Sequence, residues 1–165
     1  MEYIYRYNSP LGGITVASNG TAISGLWFEQ QKYFADTLGN HFEEKNLPIF
    51  DETIKWLNIY FSGKSPNFTP NLIINTTEFR KSIYELLLQI PYGQTMTYGE
   101  IAKIIAIKRG IKRMSAQAIG SAIAHNPISL IIPCHRVIGK NGDLIGYAGG
   151  IDKKLQLLKL EKYKF

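Results

Sequence analysis

Between Thr97 and Pro127 the chain sets out two short helices in succession, and no other stretch constrains the fold as tightly. Thr97-Tyr98-Gly99-Glu100 fits a capping box: the threonine hydroxyl accepts a helical N–H while the glutamate reaches back to the cap. It opens a helix carrying Ile101, Ile104 and Ile105. Lys108-Arg109-Gly110-Ile111-Lys112-Arg113 follows as a basic loop containing glycine. Ser115 then caps a second helix from Ala116 to about His125, which Asn126-Pro127 ends. Two short helices joined by a glycine turn form the helix-turn-helix pattern.

The second helix is slim. Ala116, Ala118, Gly120, Ser121, Ala122 and Ala124 leave it nearly bare of side chains. Such a helix suits a narrow cleft like the DNA minor groove, ~6 Å wide. A tight helix–helix contact wants the same small residues, and both readings stand on sequence grounds. Charge favours a polyanion: residues 1–75 hold five Lys/Arg against seven Asp/Glu, whereas residues 76–165 hold fourteen against six. The net +6 thus belongs to the half with the helix pair.

The first 28 residues read as three antiparallel strands, around Tyr3–Tyr7, Ile14–Ala17 and Ala22–Phe28, with Asn19-Gly20 as a hairpin turn. Helical spacing follows over 31–42 and 49–62, and Leu72-Ile73-Ile74 can add a strand. Thr76 or Thr77 caps a helix to about Gln89, and Ile90-Pro91-Tyr92-Gly93 breaks the chain. The last helix runs from Ile151 to about Tyr163, burying Ile151, Leu155 and Leu158. The expected class is α+β: a small N-terminal α/β domain, residues 1–75, with an antiparallel sheet and helices. A mainly helical C-terminal domain with the helix-turn-helix takes residues 76–165. The lone cysteine forms no internal disulfide and points to a reducing, cytoplasmic setting. The N-terminus lacks a signal peptide, and no run reaches the ~18 apolar residues of a membrane span.

That cysteine lies in Ile131-Ile132-Pro133-Cys134-His135-Arg136-Val137. Only the thiolate is a strong nucleophile, and neighbouring cationic or imidazole groups lower a thiol's pKa. In extended chain Cys134 and His135 point to opposite faces, which disfavours a direct dyad. A bridging water is the expected route for His135, with a carboxylate on its other nitrogen; Glu161 in the closing helix is the best candidate, although on residues alone a surface glutamate in a lysine-rich helix end is the favoured reading of it.

Pro133-Cys134-His135-Arg136-Val137, preceded by Asn126-Pro127, resembles the signature of the methylated-DNA–protein-cysteine methyltransferases, the O6-alkylguanine-DNA alkyltransferases. Pro91-Tyr92-Gly93 with Thr97-Tyr98, the slim helix and Gly146-Tyr147-Ala148-Gly149-Gly150 extend the likeness over residues 76–165. The N-terminal half is similar only in size and coarse pattern. The resemblance implies single-turnover repair: a flipped-out guanine gives its O6-alkyl group to Cys134, which keeps it as a thioether. It further implies that His135 takes the thiol proton through water, Glu161 orients His135 and Asn126 braces the turn. Tyr98 would assist flipping and donate to the leaving guanine, and Tyr147 would wall the base pocket, with backbone groups of Val137 and Ala148 at the guanine edges. Neither metal nor other cofactor is implied. The partner is double-stranded DNA with alkylated bases, O4-alkylthymine being a further candidate substrate, and the protein is expected to be a cytoplasmic monomer.

Three departures stand out. Gln117 replaces an arginine that many members insert into the gap left by the flipped base. The loop from Ala106 to Met114 is about five residues longer than the short form, so Arg113 and Lys112, beside the Ser115 cap, are expected at phosphates. Ser129 replaces a pocket-lining proline, with altered tolerance of bulky alkyl groups expected. The alternative is a binding-only relative that recruits other repair factors; such relatives lack the cysteine. A transcriptional helix-turn-helix would need an Arg/Asn/Gln array for the major groove, and a cysteine hydrolase would need a second, well-placed histidine.

Overall fold

The computed structural model describes residues 1–165, in two compact units. The first comprises residues 1–75 and 127–131, the second 76–126 and 132–165. No helix is long and apolar enough to cross a membrane.

In the first unit the alternating stretches become β1 (Glu2–Ser9), β2 (Gly12–Ser18) and β3 (Ile23–Phe28), antiparallel neighbours joined in part through Asn19-Gly20. A short β4 (Phe42–Glu44) runs parallel to β1, giving the order β3-β2-β1-β4. Helix α1 (Pro48–Phe61) starts on a proline, whose missing N–H costs nothing in a first turn. It buries Phe50, Trp56, Leu57 and Tyr60, and Phe50 meets Tyr5 of β1 at 5.9 Å between ring centroids. Period-2 alternation sends Ile4 to the other face, against Ala17, Trp27, Ala35 and Leu38.

The helix expected over 31–42 does not form; residues 31–38 make consecutive turns, with Tyr33 and Ala35 at φ 58° and 53°. Tertiary packing overrides the local spacing. Phe34 lies edge-on to Trp27 at 6.3 Å, Ala35 and Leu38 cover the sheet, and Glu2 accepts the Gly39 N–H at 2.6 Å. Leu72 makes a single parallel bridge to Ile23 and no strand.

The C-terminal stretch is not contiguous as the expected boundaries had it. Leu26 N–H donates to Pro127 O and Ser129 N–H to Leu26 O, both at 2.8 Å, so residues 127–131 extend the β3 edge of the first unit. Nor is Ile128–Ile132 a regular extended run, since Leu130 turns at φ 70°.

The second unit opens with α2 (Glu78–Leu87), capped by Thr77, whose Oγ1 accepts the Arg80 N–H at 3.2 Å. Then come β5 (Met96–Thr97), α3 (Tyr98–Lys108), α4 (Ala116–Ala124), β6 (Val137–Ile138) and α5 (Ile151–Leu160). Thr97 and Glu100 form the capping box: Glu100 N–H donates to Thr97 Oγ1 at 3.1 Å, and the Thr97 hydroxyl donates to Glu100 at 3.2 Å. Ser115 accepts the Ala118 N–H at 3.3 Å. Ile83, Leu87, Ile101, Ile105, Ile119 and Ile123 fill the core, and Tyr84 ties α2 to α4 by donating to Ala122 O at 2.6 Å. In α5 the buried side is Lys154, Leu157 and Leu158; Ile151, expected inside, is 55% exposed, and Leu155 is half-buried.

Candidate active site

Cys134–Arg136 is a single 3-10 turn rather than extended chain, between Pro133 and β6. Parallel pairing of Met96 with Val137 and Thr97 with Ile138 brings the start of α3, and with it Tyr98, alongside that turn. Asn126 closes the approach: its Nδ2 donates to Ile132 O at 2.9 Å, and its side chain also hydrogen-bonds the Cys134 thiol. The family resemblance implied a bracing role for Asn126 and said nothing of the bond to the thiol.

All of Cys134, His135 and Glu161 are buried. His135 Nε2 meets Glu161 Oε2 at 2.5 Å, while Arg136 donates Nε to Oε1 at 2.8 Å and Nη2 to Oε2 at 3.2 Å. Gly93 N–H supplies a fourth bond to Oε1 at 2.9 Å. Gly93 must be glycine: φ is +77°, and a Cβ would stand 3.0 Å from the Glu161 carbonyl oxygen. Arg136 also donates to Ile90 O at 2.7 Å, and its guanidinium lies 5.7 Å from the Tyr92 ring centroid.

These contacts set the protonation states. Burial alone would raise the Glu161 carboxyl, but the hydrogen bond from His135 and the hydrogen bonds and charge of Arg136 outweigh it and hold the group well below the usual carboxylate range. Burial pushes His135 down against the opposing pull of Glu161, so the imidazole is neutral and Arg136–Glu161 is the ion pair. With Nε2 on Glu161, Nδ1 is the ring nitrogen turned away from the carboxylate.

Burial also pushes the Cys134 thiol up, with Asn126 and Lys154 opposing. This corrects the expectation that the adjacent His135 and Arg136 lower it. Their side chains are spent on Glu161, and full desolvation of the sulfur is the larger effect.

Tyr98 is pushed up to about 12 by burial and by the charge of Cys134, so it keeps its proton. Its hydroxyl donates to Ile145 O at 3.0 Å. Gly146 makes room for it: φ is +75°, and a Cβ there would come within 2.5 Å of the Tyr98 hydroxyl. Tyr147 is buried, edge-on to His135 at 6.4 Å, and its hydroxyl meets no protein hydrogen-bond partner. Burial, then the charges of Cys134 and Glu161, raise it well above its ordinary value. The Val137 carbonyl accepts from Lys154 Nζ, and Ala148 is half-buried.

Ser115, Arg113 and Gln117 are exposed around the start of α4, away from this buried network. Ser129 belongs to the first unit, where it is buried and its Oγ donates to Gln31 Oε1 at 3.2 Å. Sequence inspection passed over Lys154, although it shares the 151-154-158-161 stripe of α5 with Glu161; that spacing was its one available signal.

A family model described as 6-O-methylguanine DNA methyltransferase, DNA binding domain, matches residues 78–163, and one described as its ribonuclease-like domain matches residues 3–74. A methylated-DNA–protein-cysteine methyltransferase of Mycobacterium leprae is 40% identical over 99% of this chain and 94% of its own length. One from Methanosarcina barkeri is 43% identical over 93% of each. The crystal structure of Mycobacterium tuberculosis OGT in complex with DNA is similar with a TM-score of 0.85 and 38% identity, covering 97% of this chain and 92% of that one.

Proposed function

Because the chain belongs to the methylated-DNA–protein-cysteine methyltransferase family over nearly its whole length, we propose that it repairs O6-alkylguanine in duplex DNA by moving the alkyl group irreversibly onto its own Cys134. The carrying observation is the chain's one thiol, hydrogen-bonded by Asn126 beside a neutral His135 that Glu161 and Arg136 hold in place. The protein works as a cytoplasmic monomer and needs no metal or other cofactor. O4-alkylthymine is a second candidate substrate.

The chemistry follows from the residues in hand. Cys134 gives its proton through a water to His135, whose other nitrogen Glu161 orients. The sulfur pair then forms the S–C bond as the C–O6 bond breaks, and the departing guanine takes a proton from Tyr98. Tyr98 must first leave Ile145 O, and the same movement lets it crowd the flipped nucleotide's phosphate. Tyr147 walls the base pocket. Its buried hydroxyl, costly by ~1–3 kcal/mol when unbonded, suits a polar occupant. Val137 can still accept from a guanine edge because a carbonyl has two lone pairs, and Ala148 offers backbone at the other side.

On the DNA side, α4 presents Ala116, Gln117 and Ser121 to solvent. Gly120 bears on the choice left open by composition, since a Cβ built there meets nothing within 4 Å. No internal neighbour requires that glycine, although glycine costs a helix interior about 1 kcal/mol against alanine. An external body in close approach, the minor-groove floor, supplies the requirement. Gln117 then occupies the gap left by the flipped base, and Arg113 and the Ser115 helix start meet phosphates.

Stoichiometry tests this directly. Duplex DNA carrying O6-methylguanine should show one guanine restored per protein chain and no more, and none with Cys134→Ser. Binding without restoration would favour the recruiting, non-catalytic alternative; continued turnover would refute a suicide reaction.

A further inference from the structure

Two isoleucines stand in solvent where α3 ends. Ile107 is 78% exposed and Ile111 45%. The chain turns sharply between them: Gly110, at φ +66°, donates its N–H to Ile107 O at 3.1 Å, and Ile111 N–H returns to Ala106 O at 3.0 Å. A helix ending of this kind ordinarily packs the apolar residue after the glycine back onto the helix, around the residue that accepts its N–H. Here that residue is the small, buried Ala106, and much of Ile111 is left outside. Nothing local asks for Ile107 either, because a β-branched residue is a weaker helix former than lysine or alanine.

Four cations adjoin the two isoleucines in the chain. Lys108, Arg109, Lys112 and Arg113 are all exposed, and none forms an ion pair with a carboxylate. Arg109 leans instead on the Phe79 ring, its guanidinium carbon 5.3 Å from the centroid. Exposed apolar groups among unpaired cations fit a polyanion that also offers apolar faces between its charges. Duplex DNA is such a partner, since apolar deoxyribose faces lie between its phosphates along the minor groove. An acidic protein with an apolar groove shares both properties, and place in the chain decides between them. The loop leads directly into the Ser115 cap of α4, inside the span 78–163 that matches a DNA-binding domain.

We propose that Ile107 and Ile111 make an apolar contact with the duplex beside the lesion, their side chains lying against deoxyribose faces while the neighbouring cations meet phosphates. The proposal rests on the chain acting on DNA and adds a foothold of a different physical kind. Phosphate contacts release counterions and weaken steeply as salt rises. Covering an isoleucine releases none, so its contribution persists where the electrostatic one fades. Partial burial of two such side chains is worth about tenfold in affinity.

Affinity for undamaged duplex DNA over a range of salt concentrations tests this. The double variant Ile107→Ser, Ile111→Ser should bind about tenfold more weakly at every concentration, giving a plot of log K against log salt parallel to that of wild type. The double variant Ile107→Leu, Ile111→Leu should return to the wild-type line. Coincident wild-type and serine lines overturn the proposal. So does a shallower serine line, because the loss would then come from the cations. Should the serine variant not fold, a reporter at the site decides. Trp27 and Trp56 are buried, so Ile111→Trp adds one exposed tryptophan, which duplex DNA should shield from quenching by acrylamide. A tryptophan as open to acrylamide with duplex as without it overturns the proposal and turns the patch toward a protein partner. Duplex binding without restoration of O6-methylguanine would defeat the repair reading and leave this contact standing.

Discussion

Glu161 is where the buried polar network converges, and its four bonds explain why the site answers to acid. An unfolded His135 takes up a proton as pH falls through its ordinary 6.5, whereas the folded chain resists that proton. Its lowered folded pKa therefore erodes stability from pH 6.5 downward. Glu161, held below its ordinary 4.5, contributes stability present above that value and lost as pH falls further. The thermal midpoint should drop between about pH 7 and pH 5, and His135→Asn should flatten that slope; parallel slopes would show that His135 does not carry it. Cys134, His135 and Asn126 were visible in the sequence because they adjoin one motif. Glu161 needed the family resemblance, since only tertiary folding brings residues 135 and 161 within 2.5 Å. Lys154 escaped notice because a lysine in a lysine-rich helix looks solvated until α5 is packed.

Local chemistry made the elements of the second unit legible. Thr77, Thr97 and Ser115 all cap their helices, because a cap bond spans only three residues and ignores the rest of the fold. Residues 31–38 failed for the opposite reason: their conformation is dictated by Trp27 and the sheet. The 3-10 turn at Cys134 was missed too, because an apolar run into proline is read as extended. For α4, the open space beside Gly120 makes a sharp expectation. Gly120→Ala should raise stability by up to about 1 kcal/mol in thermal or denaturant unfolding while weakening duplex binding. A stabilised variant with unchanged DNA affinity would remove this helix face from the DNA.

Across the whole chain, charge and fold divide in the same place. The first unit contains residues 1–75 and the uncharged segment 127–131, while residues 101–142 carry seven Lys/Arg and no Asp/Glu. The exposed loop cations Lys112 and Arg113 should each account for about one unit of slope in a plot of log K for duplex DNA against log salt. Lys112→Ala and Arg113→Ala should flatten that plot without changing alkyl transfer from a free O6-alkylguanine base; an unaltered slope places the loop off the DNA. The noncontiguous unit was beyond sequence patterning, because the Leu26 bonds to Pro127 and Ser129 join residues a hundred positions apart. Everything assigned to the site turns on Cys134 as the acceptor. After incubation with duplex DNA containing O6-methylguanine, mass spectrometry of proteolytic fragments should find one added methyl group, confined to the peptide holding Cys134 and absent from Cys134→Ser. A methyl group on any other residue, or restored guanine with Cys134 unmodified, would contradict it.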